Sequence, residues 1–301
     1  MNPPEPIIHV DLHILMYIQY FHLQYEAVHP MEGWRDLRSR LDDVDRRVYA
    51  YVHPCLPEEP LVILHTALTQ EPAVSIQGLM GRQGDPGSGE HMHRDTNHEL
   101  DMSCTSDPKV AVFFSISATQ PGLAGVDLGH FLIQKVAEKL LADFPSVKLL
   151  VTLSPMPNFR DWLCSRLAYE ASQPSTSSSS SLPWLLSQSD GAELGRAWTR
   201  LDSGDLLQKR DTLEHPSMSP MPLDTMSTTY QPQQAAQLLS HWLEDDLWLK
   251  CNQVDKPLFK KLLLRLAARY LVHERRRNNA LDPVANFHLR NGAQLWRINW
   301  G

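Results

Sequence analysis

The stretch that decides the fold runs from residue 110 to residue 153. It opens with Val110-Ala111-Val112-Phe113-Phe114-Ser115-Ile116-Ser117, passes through the turn Pro121-Gly122-Leu123-Ala124-Gly125-Val126-Asp127-Leu128-Gly129, and closes with the apolar run 147–153. The first segment is apolar on both faces, as in a central strand, and the last segment predicts a second apolar strand. Apolar residues between them recur at helical spacing up to Phe144-Pro145. The stretch therefore predicts a βαβ unit with a glycine-rich turn and two parallel strands.

The flanking segments predict further strands and helices. Residues 48–52 and 61–68 are expected to form an antiparallel hairpin connected by Pro57-Glu58-Glu59-Pro60. Residues 284–290 and 293–300 flank Asn291-Gly292, a strong hairpin signal, and predict a last pair of strands. Helices are predicted at about 33–47, 159–167, 235–249 and 257–277. The fold class is therefore α+β, a mixed sheet with a central parallel βαβ unit flanked by helices.

The composition is that of a globular protein. The chain has 301 residues, of which 42% are hydrophobic and 21% charged, so wholesale disorder is excluded. A net charge of −7 gives no general reason to bind nucleic acid. Four widely spaced cysteines indicate reduced intracellular thiols rather than a disulfide or zinc framework. The apolar stretch 7–23 carries too many polar residues to predict a membrane span or a signal peptide.

Two segments break the globular pattern. Residues 82–107 are rich in Gly, Pro, His and Asp and predict a flexible loop. Residues 172–234 read as a Ser/Pro-rich low-complexity insert, with six Ser and one Thr between Ser175 and Ser181.

Three features of the sequence are candidates for chemistry, and each has a plainer interpretation. The turn before the predicted helix offers free backbone N–H groups to a phosphate or an oxyanion, or it is an ordinary tight turn. Ser154 ends a strand and precedes Pro155, so its hydroxyl is either rigidly held for function or simply terminates the strand. His288, predicted to lie on a strand with Arg290 on the same face, is either an acid–base group or a structural residue.

No metal site is expected. His91, His93, His98 and Cys104 lie in the Gly- and Asp-rich loop without a framework that would make them converge on an ion. Trp296 and Trp300 alternate with polar neighbours, which predicts that both are core residues.

Taken together and in order, the motifs resemble the malonyl-CoA decarboxylase family from about Tyr25 to Trp300. The segments that carry the resemblance are Tyr25-Glu26-Ala27-Val28-His29-Pro30, Glu59-Pro60-Leu61-Val62-Ile63-Leu64-His65, the turn 122–129, Leu153-Ser154-Pro155-Met156-Pro157-Asn158-Phe159, Ala280-Leu281-Asp282-Pro283-Val284-Ala285-Asn286-Phe287-His288-Leu289, Asn291-Gly292-Ala293 and Leu295-Trp296-Arg297-Ile298-Asn299-Trp300.

The resemblance implies a domain organisation. Residues 1–22 would be a divergent lead, and residues 23–301 the catalytic domain, interrupted by the loop 82–107 and the insert 172–234. The fold implied is similar to that of GCN5-related acetyltransferases, in which the glycine turn receives the pyrophosphate of coenzyme A. The family's helical N-terminal domain and its closing C-terminal segment would lie outside this chain, which is expected to be truncated at both ends.

The resemblance also implies an activity. It is that of a carboxy-lyase of fatty-acid metabolism, which converts malonyl-CoA to acetyl-CoA and CO2 through an enolate, with no metal or organic cofactor. Coenzyme A would enter only as part of the substrate.

The resemblance assigns roles to individual residues. Ser154 would hold the malonyl carboxylate, His288 would protonate the carbanion, and helix N-terminal amides would stabilise the enolate. Asp127, where the family usually has Glu, is the third catalytic candidate. The implied substrate-binding residues are Ala124, Gly125, Val126, Asp127, Leu128, Gly129, His130, Ser154 and His288.

Two alternatives stay open on the sequence. One is an acyl-CoA-dependent acyltransferase, and the other is an inactive truncated product that binds acyl-CoA. The partners implied are malonyl-CoA, acetyl-CoA and, in the full-length form, further copies of the chain, with no nucleic acid and no membrane span. The compartment implied is intracellular: mitochondrial matrix, peroxisome or cytoplasm.

Overall fold

A computed structural model describes residues 7–9, 40, 45–79, 107–123, 128–173, 183–203, 230–243 and 256–300. The chain divides into two compact units, residues 1–155 with 287–301, and residues 156–286. The predicted loop 82–107, apart from residue 107, and most of the predicted helix 33–47 lie outside the described residues.

The first unit is built on a mixed five-stranded sheet. Its strands are β1 (Ile7–His9), β2 (Arg46–His53), β3 (Leu56–Thr69), β4 (Val110–Ala118) and β5 (Leu149–Thr152), and they lie in the sheet in that order. Neighbouring strands are antiparallel except β4 and β5, which are parallel. The α+β class, the mixed sheet and the parallel βαβ unit are confirmed, but the unit is not central, because β5 is the last strand of the described sheet.

Both faces of this sheet are covered, which explains why its inner strands read as continuous apolar runs. The helix α1 (Ile76–Leu79) lies on one face, where Leu79 packs with Val112 and Phe114. The helix α2 (Leu128–Asp143) covers the other face and packs on Ala111 and Phe113. Successive residues of β4 therefore pack on opposite faces of the sheet.

The predicted hairpin of β2 and β3 exists, but its turn is elsewhere. The reversal is made by Pro54 and Cys55, since His53 pairs with Leu56. Pro57-Glu58-Glu59-Pro60 belongs to β3, where the register shifts twice between Tyr51 and His53 of the partner strand. These irregularities accommodate the prolines, which cannot donate to a regular ladder.

The second unit is helical. Its helices are α3 (Phe159–Ala171), α4 (Gln188–Ser203), α5 (Pro232–Leu243) and α6 (Lys256–Val272), followed by the short pair β6 (Arg275–Arg276) and β7 (Asn279–Ala280). Its core combines aliphatic and aromatic side chains, among them Trp242 and Phe259, whose ring centroids are 5.2 Å apart. The helix α4 falls inside the predicted insert 172–234, so that part of the insert is a packed helix rather than low-complexity chain.

The start of α4 has a reciprocal cap. The Ser187 backbone N–H donates to Asp190 Oδ2 over 2.8 Å, and the Asp190 N–H donates to Ser187 Oγ over 3.2 Å. This is the Ser-x-x-acid arrangement that satisfies two of the unpaired donors at a helix start. Arg265 of α6 also donates to Asp190 Oδ2 over 2.7 Å, which ties the cap to the neighbouring helix.

The predicted C-terminal hairpin is wrong. Residues Pro283–Arg290 form a helix, α7, and the segment 293–300 is irregular. Asn291-Gly292 ends that helix instead of reversing a strand: Gly292 has φ +82° and donates to the Leu289 carbonyl, while Ala293 N–H donates to that of His288. These two bonds make a Schellman cap. Trp296, predicted to be core, is 63% exposed, and Trp300 is 39% exposed.

We expect Gly292→Ala to lower the free energy of unfolding by about 1 kcal/mol, because a side chain is strained at left-handed φ. Crowding would not be the cause, since a Cβ at Gly292 meets nothing within 4 Å. Gly122→Ala is the matched control, because its Cβ also meets nothing within 4 Å and its φ is not left-handed. Urea denaturation followed by circular dichroism measures both, and equal midpoints for the two variants would contradict the cap.

Candidate active site

Ser154 lies where the two parallel strands separate. The pairing of β4 with β5 runs to Phe113 and Thr152, and a last bond joins Leu153 N–H to the Phe113 carbonyl over 2.9 Å. Ser154 is the next residue, and its side chain is exposed. Pro155 follows and has no N–H, so the hydrogen-bond ladder of β5 does not continue past the serine.

His288 lies in the last turn of α7 rather than on a strand. Its carbonyl accepts the bond from Ala293 N–H that closes the Schellman cap, so the turn that carries the imidazole is held by the backbone. The ring of Phe287 meets the His288 ring edge to face, with centroids 5.1 Å apart. The alternation that placed His288 and Arg290 on one face of a strand therefore does not apply.

The structure brings Ser154 and His288 together. Ser154 Oγ and His288 Nε2 are 2.9 Å apart, a hydrogen bond between residues 134 positions apart in the chain. In the tautomer that carries its proton on Nδ1, His288 Nε2 accepts this bond from the serine hydroxyl. Both residues belong to the first unit.

Burial favours the neutral form of the imidazole. His288 is half-buried, and desolvation lowers its pKa below the usual 6.5. At neutral pH the free chain therefore holds His288 mainly as neutral imidazole, the form that can accept a proton from a hydroxyl group.

The start of α2 reaches the same region through Gly129. A Cβ at this position would lie 3.5 Å from Phe287 Cζ and 3.3 Å from Ile116 Cδ1. The glycine thus lets the Phe287 ring pack directly against the first turn of α2. Leu128, Gly129 and His130 form that turn, as predicted.

Several predicted site residues are not described. Ala124, Gly125, Val126 and Asp127 lie outside the described residues, as do His91, His93, His98 and Cys104. The catalytic and substrate-binding assignments therefore stay predictions. Within the described ranges, no group of three or more His, Cys, Asp or Glu side chains could hold a metal ion.

Phe287 is the residue that sequence reasoning missed. Its ring touches the imidazole on one side and the helix start at Gly129 on the other, and it packs with the core of the first unit. The motif containing Phe287-His288 was visible in the sequence, but a strand interpretation put the two side chains on opposite faces.

The arrangement offers two kinds of chemistry. A hydroxyl and an imidazole in contact can donate hydrogen bonds to an anionic ligand and move one proton. The same pair has the composition and spacing of a nucleophile with its general base.

None of the helices in the described ranges is long and apolar enough to cross a membrane.

Comparisons with known proteins give one consistent relationship. Residues 16–301 match the family model described as malonyl-CoA decarboxylase C-terminal domain. The chain is 35% identical over 275 residues to the mitochondrial malonyl-CoA decarboxylase of Anser anser anser, covering 91% of this chain and 44% of that protein. Identity to the Mus musculus protein of the same name is 34% over 275 residues, which is 91% of this chain and 45% of that protein.

Solved structures agree. The malonyl-CoA decarboxylase of Rhodopseudomonas palustris matches with TM-score 0.58 and 31% identity over 96% of this chain and 53% of that one. The protein from Agrobacterium vitis gives TM-score 0.57 and 31% identity over 95% and 52%. The chain spans about half the length of the relatives that it matches. On the family match and these identities, the chain belongs to the malonyl-CoA decarboxylase C-terminal domain family.

Proposed function

We propose that this chain carries the active site of a carboxy-lyase that converts malonyl-CoA to acetyl-CoA and CO2. The observation that carries the proposal is the 2.9 Å hydrogen bond between Ser154 and His288, in a chain that belongs to this family. The two residues are far apart in sequence, and one belongs to a strand end and the other to a helix end. Their meeting in one place is what a two-residue site requires.

The reaction makes two physical demands. The C–C bond to the carboxylate breaks and leaves its electron pair on the thioester as an enolate, which needs stabilisation at oxygen. The enolate carbon then takes one proton, giving acetyl-CoA. In this proposal neither step needs a metal or an organic cofactor, and coenzyme A is part of the substrate.

Ser154 is assigned to the carboxylate. Its hydroxyl is exposed and stands at a fixed strand end, so it can donate a hydrogen bond to an anionic group. Holding the carboxylate out of the thioester plane aligns the breaking bond with the carbonyl π system, which is an effect of orientation.

His288 is assigned to the proton. The free chain holds the imidazole neutral, but a bound carboxylate and the phosphates of coenzyme A are negative charges that raise its pKa. Substrate would thus bring the imidazole closer to its protonated form, and the imidazolium then donates to the carbanion.

The first turn of α2 is assigned to the enolate oxygen. Backbone N–H groups of Leu128, Gly129 and His130 have no intrahelical partner at a helix start, and the helix dipole favours negative charge there. Ala124, Gly125, Val126 and Asp127 would complete this binding segment, with Asp127 as a further catalytic candidate.

The wider fold is proposed to be similar to that of GCN5-related acetyltransferases. A mixed sheet whose last parallel strands separate beyond Phe113, with a helix starting beside the gap, supports this.

In the proposal the chain works in fatty-acid metabolism inside the cell, in the mitochondrial matrix, peroxisome or cytoplasm. The proposal also includes association of the protein with further copies of itself.

Removing either member of the pair is expected to lower CO2 release from carboxyl-labelled malonyl-CoA about 100-fold or more, because each variant loses a group that acts in the transition state. The variants are Ser154→Ala and His288→Ala in the 301-residue chain. The exposed residues Ser165 and His273 supply the controls Ser165→Ala and His273→Ala.

The controls are expected to keep the parent rate. CO2 release without any acyl acceptor argues against the acyltransferase alternative. A parent chain that binds malonyl-CoA but releases no CO2 would contradict the proposal and favour the inactive alternative.

The pH dependence is expected to follow the imidazolium. Since kcat/KM reports ionisation in the free chain and burial places the His288 pKa below 6.5, kcat/KM for CO2 release should fall about tenfold per pH unit above that pKa. The kcat profile should fall only at higher pH, because bound substrate raises the pKa of His288. A kcat/KM that rises between about pH 6.5 and 8 would contradict proton donation by His288.

Phe287 is expected to act as a positioning residue. Phe287→Leu removes the ring that touches both His288 and the start of α2, so kcat should fall about tenfold or more while KM changes little. Phe131→Leu is the matched control, since Phe131 lies on α2, is 39% exposed and pairs with Tyr51 instead. Equal kcat values in the two variants, with both chains folded, would remove this role from Phe287.

A further inference from the structure

The hydrogen bond between Ser154 and His288 allows a reaction that the proposed decarboxylation does not use. In the proposed reaction the serine hydroxyl only donates a hydrogen bond, and the imidazole only delivers a proton. Yet a hydroxyl 2.9 Å from a histidine Nε2 is also the contact by which a base activates an oxygen nucleophile. The heavy-atom distance lies within the range for proton transfer between the two groups.

We propose that Ser154 is also a nucleophile, and that the chain hydrolyses short acyl-CoA thioesters through an acyl-serine. The inference rests on the proposed function for the binding of acyl-CoA at this site. It adds a second reaction, in which the C–S bond breaks instead of the C–C bond.

The step balances without a further reactant. Ser154 Oγ attacks the thioester carbonyl carbon while His288 Nε2 takes the hydroxyl proton. The C–S bond then breaks, the proton passes from His288 to the departing sulfur, and the products are free coenzyme A and an ester of Ser154. In the second half His288 takes a proton from water, which attacks the ester carbonyl carbon. The bond between that carbon and Ser154 Oγ breaks, the proton passes from His288 to Oγ, and a carboxylic acid leaves with Ser154 restored.

The surroundings of the pair suit this chemistry. The imidazole is neutral in the free chain, as a base must be, because burial lowers its pKa. Ser154 is exposed at the end of β5, so water can reach an acyl group attached to it. The sequence around Ser154 lacks the G-x-S-x-G elbow, so the assignment depends on the contact of the two side chains and not on a motif.

Which thioester is hydrolysed depends on whether the Ser154 hydroxyl is already hydrogen-bonded to the substrate. When malonyl-CoA is bound, its carboxylate takes the hydrogen bond of Ser154, and the negative charge favours protonated His288, so neither group is ready for attack. Acetyl-CoA has no carboxylate, and the hydroxyl is returned to the neutral imidazole. Hydrolysis should therefore be directed to the decarboxylated thioester.

The experiment measures thiol release from acetyl-CoA by the 301-residue chain, together with CO2 release from malonyl-CoA by the same preparation. Acid-quenched protein is digested and searched by mass spectrometry for acetyl-serine at position 154. We expect thiol release that Ser154→Ala and His288→Ala each lower roughly 100-fold, with Ser165→Ala unchanged.

Ser154→Cys guards against loss of folding as the cause, because it keeps a nucleophile and should trap the acetyl group as a thioester at position 154. Thiol release at the same rate in the parent and in Ser154→Ala would overturn the inference, as would its absence from a parent that releases CO2. Thiol release that depends on Ser154, without CO2 release, would support the inference and overturn the proposed decarboxylation. Absence of both reactions overturns both.

Discussion

The contact between Ser154 and His288 is the interaction on which the proposed site depends. It joins side chains 134 residues apart, and neither partner is placed by the other. Ser154 is placed by the end of the β4–β5 ladder, where Leu153 makes the last bond to Phe113. His288 is placed by a capped helix end and by the Phe287 ring that packs against Gly129. The 2.9 Å distance therefore depends on two separate backbone arrangements, the end of the β4–β5 ladder and the capped end of α7.

Phe287 connects the end of α7 to α2, the helix whose first turn is proposed to stabilise the enolate. A Cβ at Gly129 would be in van der Waals contact with the ring, so the ring lies directly against the first turn of α2. One aromatic side chain therefore touches both the start of α2 and the imidazole. A rigid two-χ side chain suits this task, because holding it costs little conformational entropy.

The sequence predicted the βαβ unit well and the C-terminal segment poorly. The unit β4–α2–β5 was predictable because short apolar runs, of which β4 is buried on both faces, and a helix with one apolar side leave different patterns. Asn291-Gly292 was ambiguous, because both a hairpin turn and a Schellman cap need a glycine with positive φ. The deciding signal lay upstream. Asp282 followed by Pro283 is a helix start, and Asp282 Oδ1 does accept the Ala285 N–H over 2.8 Å.

The same lesson applies to α4. Its apolar residues are diluted by Ser, Gly and polar side chains, so composition favoured an insert, yet Ser187 and Asp190 had the spacing of a reciprocal cap. The Ser154–His288 contact itself was beyond reach of local patterns. No local spacing relates a strand end to a helix end more than a hundred residues later, and the family resemblance supplied the pair without its geometry.

In the two proposed reactions, the charge of the His288 imidazole determines which chemistry the pair can perform. Protonated His288 has a proton to give to a carbanion but cannot accept one from a hydroxyl, and neutral His288 has the opposite capacity. Burial favours the neutral form in the free chain, while an anionic substrate works against burial by stabilising the cation. The carboxylate that is about to be lost would therefore also be the group that charges the proton donor. In the proposed reaction that stabilisation would end once CO2 has left, and the imidazole would revert to the state in which it can serve as a base.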